Sequence, residues 1–156
     1  MAVDVFMKID GISGESSDIQ YKEWIEVLSL NWEVDTSTTE RGHGGPRSSH
    51  FGIIKVVDKA TPQILRATTQ NELIKEIRIA LCRAGKEKVK YLEYVFKNCV
   101  ITKAQLQMGT HSGETLPTEN VQFRFASITI TYFQQKRDTG GSAGHIETQW
   151  NVSNQS

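Results

Sequence analysis

Hydrophobic residues in this chain recur mostly at every second position, the period of a strand with one buried face. Val3, Val5, Met7 and Ile9 fall on one side of an opening strand, which the turn residues of "DGISGESSD" bring to an end. In "EWIEVLSLNWEV" the phase changes: Ile25 and Val27 share one face, whereas Leu28, Leu30 and Trp32 take the other. A flip between Val27 and Leu28 predicts a bulge, or a strand passing from one sheet into another. "FGIIKVV" is short, apolar and rich in β-branched residues, and reads as a third strand. Ile77, Ile79 and Leu81 alternate with Glu76, Arg78 and Ala80 in a fourth, and that period argues against a helix. "AGKEK" turns the chain into the long run "VKYLEYVFKNCVITKAQL", with Leu92, Tyr94 and Phe96 on one face. "VQFRFASITITYF" carries a second flip near Ala126 and Ser127. Val121, Phe123 and Phe125 precede it on one side, and Ile128, Ile130 and Tyr132 follow on the other. "HIETQWNV" is a final short strand.

One segment breaks the alternation. "DKATPQILRATTQNE" predicts a short helix with Thr61 as N-cap and Pro62 at the first helical position, Ile64 and Leu65 facing the rest of the molecule. Roughly seven strands, two of which change their buried face midway, make a mainly β fold: two packed sheets forming a barrel, with one short flanking helix. No repeat, low-complexity tract or boundary divides the chain, so residues 1–156 read as a single domain.

Charge narrows the function classes. Eighteen Lys and Arg balance eighteen Asp and Glu, so no bulk field favours nucleic acid or an anionic membrane. No apolar stretch approaches the ~20 residues that span a bilayer. "MAVDVFMKID" lacks a basic region, a long apolar core and a cleavage site, so a signal peptide is not expected. Cys82 and Cys99 sit in apolar runs rather than in a C-x-x-C, and read as buried free thiols.

The candidate chemistry lies in two polar segments. In "STTERGHGGPRSSHFG", residues 37–52, the run "GHGGPR" fits neither G-x-G-x-x-G nor a P-loop, and no long helix follows to present its N-terminus to phosphate. His43 and His50 are seven apart with no further His or Cys nearby, so no metal site is expected. Ser48 and Ser49 beside His50 are sequence neighbours, which does not make a triad, and no G-x-S-x-G occurs. Glu114 and Glu119, in the second polar loop "QMGTHSGETLPTEN", read as solvated loop acids. No cofactor motif is present and no residue is assigned to catalysis. Composition alone leaves the first loop open between a contact arm and a plain mobile loop.

Five segments together resemble one family. "MAVDVFMKIDGISGES", "EWIEVLSLNW", "DKATPQILRATTQ", "LPTENVQFRFASITITYFQQ" and "HIETQWNVSNQ" look, in this order, like segments of the haemolysin-coregulated protein (Hcp) family, the tube subunit of type VI secretion systems. Of the family's usual W-x-W, only Trp32 remains. The resemblance implies a phage tail-tube-like β-barrel, six-membered rings that stack into a hollow tube, and no enzymatic activity. Its implied partners are further copies of itself, the sheath, the spike and small effectors carried in the ring. The protein would be assembled in the cytoplasm and exported through the contractile machine. The loop from Ser37 to His50 then corresponds to an extended arm touching neighbouring subunits or the next ring. Glu40, Arg41, Gly42, His43, Gly44, Gly45, Pro46 and Arg47 would be its contact residues. "GTHSGE" corresponds to a loop facing the pore, with His111 and Ser112 as lumen-facing candidates. The alternative is a monomeric β-barrel that carries a small ligand in its interior.

Overall fold

The computed structural model describes residues 3–34, 50–85, 88–111, 113–135 and 142–152. Along them run β1 (Val3–Ile9), β2 (Ile25–Asn31), β3 (His50–Val56), α1 (Thr61–Thr69), β4 (Ile74–Arg83), β5 (Lys90–His111), β6 (Glu114–Gln135) and β7 (Ser142–Asn151). The strands are hydrogen-bonded in the order β3-β2-β1-β4-β5-β6-β7, and β3 pairs with β6 as well. That last pairing closes the first six strands into a barrel and leaves β7 attached outside the closure. The two packed faces expected from the alternation are opposite walls of this continuous sheet.

Both phase flips have a structural counterpart. Val27 pairs with Lys55 and Ser29 with Ile54, so Leu28 is the extra residue of a bulge. On β6 the buried series passes from Phe125 to Ile128, on β5 from Phe96 to Cys99, and on β4 from Ile74 to Ile77. These changes lie side by side. The pairs Ile74–Cys99 and Glu76–Lys97 on one side, and Cys99–Phe125 and Lys97–Ser127 on the other, straddle Asn98. Asn98 has a φ of 52°, the left-handed conformation that asparagine tolerates better than most residues. Cross-strand neighbours must share a face, so the three strands change together and form a crease.

Inside the barrel the space is filled. The rings of Phe51, Phe96 and Phe123 meet at centroid distances of 4.9, 5.6 and 4.8 Å. Met7, Ile25, Ile53 and Ile79 belong to the same buried cluster. Helix α1 adds Ala60, Ile64 and Ala67 to that cluster.

Three details differ from the expectation drawn from sequence. The N-cap of α1 is Ala60, and Thr61 is the first helical residue. Its hydroxyl accepts a hydrogen bond from the Asp58 N–H at 3.1 Å and donates one to Glu119. Leu65 is exposed; the buried positions 60, 64 and 67 follow the spacing of a single helical stripe, which Leu65 misses. The second polar segment is a hairpin rather than a loop. The ladder continues through Met108–Pro117 and Thr110–Thr115 to His111–Glu114. Gly113, with a φ of 82°, lies in the turn between the two strands.

Candidate assembly surfaces

A closed barrel has no free edges, so the strand added outside the closure stands apart. β7 is bonded to β6 on one side and has no strand partner on the other among the described residues. Its residues 144–149 are exposed. The sheet face beside that edge is apolar. Leu92 pairs with Tyr132, and Tyr132 with Ile146, forming a row across three strands. Tyr132 is 47% and Ile146 69% exposed, whereas Phe96 and Ile128, in a row farther along, are buried. The core face therefore runs out onto an uncovered flange.

The β5–β6 hairpin is a second projection. β3 accompanies β6 as far as the Val56–Thr118 pair, after which the Val57 N–H donates to the Pro117 carbonyl at 3.1 Å. Ala104–Val121, Leu106–Glu119 and Met108–Pro117 carry the barrel's inner face outward along the hairpin. Leu106 is 67% and Met108 69% exposed.

At the root of this hairpin lies a charged cluster. Lys55 shares the inner face of β3 with Phe51 and Ile53, and its side chain is fully buried. Its Nζ lies 2.8 Å from Asp58 Oδ1 and 3.5 Å from Glu119 Oε1. Glu119 is buried, not the solvated loop acid that sequence suggested, because it pairs directly across the sheet from Lys55. The alternation Phe51, Ile53, Lys55 was the available signal: continued for one more step, it turns the lysine inward.

Residues 10–24 form a strap on the outer wall. Tyr21 stacks on Phe6 at 4.6 Å, and the Cys82 thiol donates to its hydroxyl at 3.3 Å. Lys88 reaches across from the β4–β5 turn, 2.8 Å from Asp18, 3.1 Å from Asp4 and 4.7 Å from the centre of the Phe6 ring. The hydrogen bond from Lys88 holds the Asp18 carboxyl below the usual range. Burial pushes the Tyr21 hydroxyl and the Cys82 thiol up, and the Cys99 thiol up to about 12. Both thiols are buried and unbridged, an environment that suppresses the nucleophilic thiolate.

The sequence-derived site residues fall mostly elsewhere. Glu40, Arg41, Gly42, His43, Gly44, Gly45, Pro46, Arg47 and Ser112 lie outside the described residues. The backbone of His111 ends β5 at the hairpin tip. His50 opens β3, and its Nε2 accepts a hydrogen bond from Arg124 at 2.9 Å. Among the described residues no three His, Cys, Asp or Glu side chains are grouped so as to hold a metal ion.

Comparison with known proteins follows the same outline. Residues 6–132 match the model of a family described as type VI secretion system effector, Hcp. The chain belongs to the Hcp family. Protein hcp1 of Pseudomonas aeruginosa is 30% identical over 158 residues, spanning 97% of this chain and 96% of its own. Hcp1 from Salmonella typhimurium superposes with a TM-score of 0.81 at 28% identity, covering 98% of this chain and 97% of that one. A type VI secretion system effector from Yersinia pestis gives a TM-score of 0.76 at 32% identity, over 96% and 100%. This Hcp is a type VI secretion tube subunit from a structural, secreted family. Among its described residues no helix is long and apolar enough to cross a membrane.

Proposed function

We propose that this Hcp protomer acts by assembling: six copies close a ring, rings stack into a hollow tube, and small effectors travel in the lumen. The observation that carries this reading is a filled barrel joined to uncovered projections. With the Phe51, Phe96 and Phe123 rings meeting in the interior, there is little room for the ligand of a monomeric carrier. The side of β7 that has no strand partner among the described residues and the Tyr132–Ile146 flange suit a side-by-side contact, where a neighbour extends the sheet and covers apolar surface. Contacts that join unlike patches generate rings when the rotation closes. In this reading His111 and Ser112 serve as the polar lumen-facing residues that let cargo pass, and residues 40–47 serve as the arm between rings. The protomer acts as one unit over residues 1–156. It catalyses no reaction, binds no cofactor, nucleic acid or membrane, and meets the sheath, spike and effectors of its own machine. It assembles in the cytoplasm and leaves through the contractile machine.

Light scattering after size exclusion, over a range of concentrations, tests this for the intact chain and for a variant lacking residues 41–47. The intact chain is expected at the mass of six copies. The deletion variant should keep its ring but lose stacking. A monomer at every concentration overturns the ring and returns weight to the carrier, and an unfolded deletion variant overturns the peripheral arm.

A further inference from the structure

A lysine on the inner face of a barrel is strongly unfavourable unless its charge is met, and two hydrophobic side chains could fill the same space. What they could not supply is direction. Ion pairs and hydrogen bonds fix the relative placement of the groups that make them, whereas apolar contacts tolerate sliding. The bonds around Lys55 tie several elements at one point. Lys55 comes from the end of β3, Asp58 from the turn before α1, Thr61 from the first residue of α1, and Glu119 from β6. Asp58 also accepts a hydrogen bond from the Ala60 N–H at 2.9 Å. Glu119 pairs with Leu106, which brings in β5. One register position farther, β3 ends at Val56–Thr118 and the hairpin continues without it.

We infer that Lys55 and Glu119 are positioning residues that set the pose of the β5–β6 hairpin against α1 and the barrel rim. A neighbouring copy then meets the Leu106–Met108 face in one orientation. The second statement rests on the assembly reading above; the first does not.

The double variant Lys55→Met/Glu119→Leu removes the Lys55–Glu119 pair at similar volume and leaves Asp58, the most exposed member of the cluster, on the Ala60 N–H, so stability and hairpin pose can be read separately. Its urea midpoint should stay near that of the unaltered chain. Backbone amides at 104–108 and at 115, 116, 118 and 119 should exchange about tenfold faster or more, with β1 and β4 unchanged, because only the hairpin's local opening is released. The ring should dissociate at a concentration raised by a similar factor. Hairpin exchange identical to the unaltered chain, or acceleration spread evenly over the barrel, overturns the positioning role. Should the double variant fail to fold, Glu119→Gln removes one charge with little change of shape, and the same selective acceleration is expected. If the unaltered chain forms no ring while the hairpin still loosens selectively, the assembly reading falls and the positioning role stands. Rings that form normally around an unmoved hairpin do the opposite: the positioning role falls and the assembly reading stands.

Discussion

Lys55 and Lys88 each stand between two carboxylates at similar distances. Lys55 lies 2.8 Å from Asp58 and 3.5 Å from Glu119; Lys88 lies 2.8 Å from Asp18 and 3.1 Å from Asp4. Their surroundings differ. The side chains of the first cluster are 0%, 12% and 5% exposed, and those of the second, in the order Lys88, Asp18 and Asp4, are 23%, 17% and 38%. Equal geometry does not mean equal energy. Near the surface, water screens the attraction and can solvate whichever charge loses its partner. In the core the surviving carboxylates have no such recourse. The inner cluster therefore constrains how β3, α1 and the hairpin meet, while the outer one fastens a strap whose hold comes mainly from the Phe6–Tyr21 stack.

The largest effect that follows is on Lys55. Lys55→Met should destabilise the protomer by about 3–5 kcal/mol, the loss seen when one partner of a buried pair is removed. Lys88→Met should cost only a small fraction of that, and the difference from the unaltered chain should shrink further in high salt. Urea unfolding of both variants side by side checks this. Equal losses would break the comparison and place the inner cluster in contact with water.

Backbone packing under the strap comes next. A Cβ at Gly14 would stand 2.5 Å from the Trp24 carbonyl oxygen and 2.7 Å from the Ile25 Cα, atoms that cannot turn aside. Gly14→Ala should therefore lift the strap at a cost of about 1–3 kcal/mol, as in other overpacked sites. Thermal unfolding followed by circular dichroism reads the midpoint, and the strap's Trp24, edge-on to Tyr21 at 4.9 Å, is read by fluorescence once Trp32 and Trp150 are replaced by Phe in both chains. No shift in the midpoint would mean that the strap rides loosely and that Lys88 alone locates it.

The two clusters were unequally legible in the sequence. Alternation located the strands and both face changes, because a period of two leaves a register error nowhere to hide when one side is buried. It did not extend the crease to β4 and β5, where the change is hidden in apolar runs such as "NCVI" around Asn98. The hairpin at 107–120 was obscured by its threonines and glycines. Its Ser112-Gly113 step is a turn signal, but recognising it required treating Thr110 and Thr115 as strand residues. Lys55 was hidden for a different reason. Residue type argued for solvent while phase argued for the core, and the compensating Glu119 lies 64 positions away, where only the β3–β6 pairing brings it close. The strap shows the same limit: Lys88, Asp4 and Asp18 converge through tertiary contacts that no local pattern announces.

The smallest effect separates charge from shape in the outer cluster. Asp18 does two jobs, since its Oδ1 also accepts the Gln20 N–H at 2.9 Å and the Tyr21 N–H at 3.3 Å. Asp18→Asn keeps an acceptor for that turn and removes only the charge. Because the hydrogen bond from Lys88 lowers the folded pKa of Asp18, its ionisation contributes stability above the ordinary aspartate pKa. That contribution is lost as pH falls through the depressed folded value. Lys88 is raised, first by its hydrogen bond with Asp18, so its share is full below the ordinary lysine pKa and is lost as pH rises through the raised folded value. The unaltered chain should thus exceed Asp18→Asn in urea midpoint by a steady margin across neutral pH, and the margin should close at both the acid and the alkaline end. A margin that persists below the aspartate range would assign the strap's hold on Asp18 to the turn rather than to Lys88.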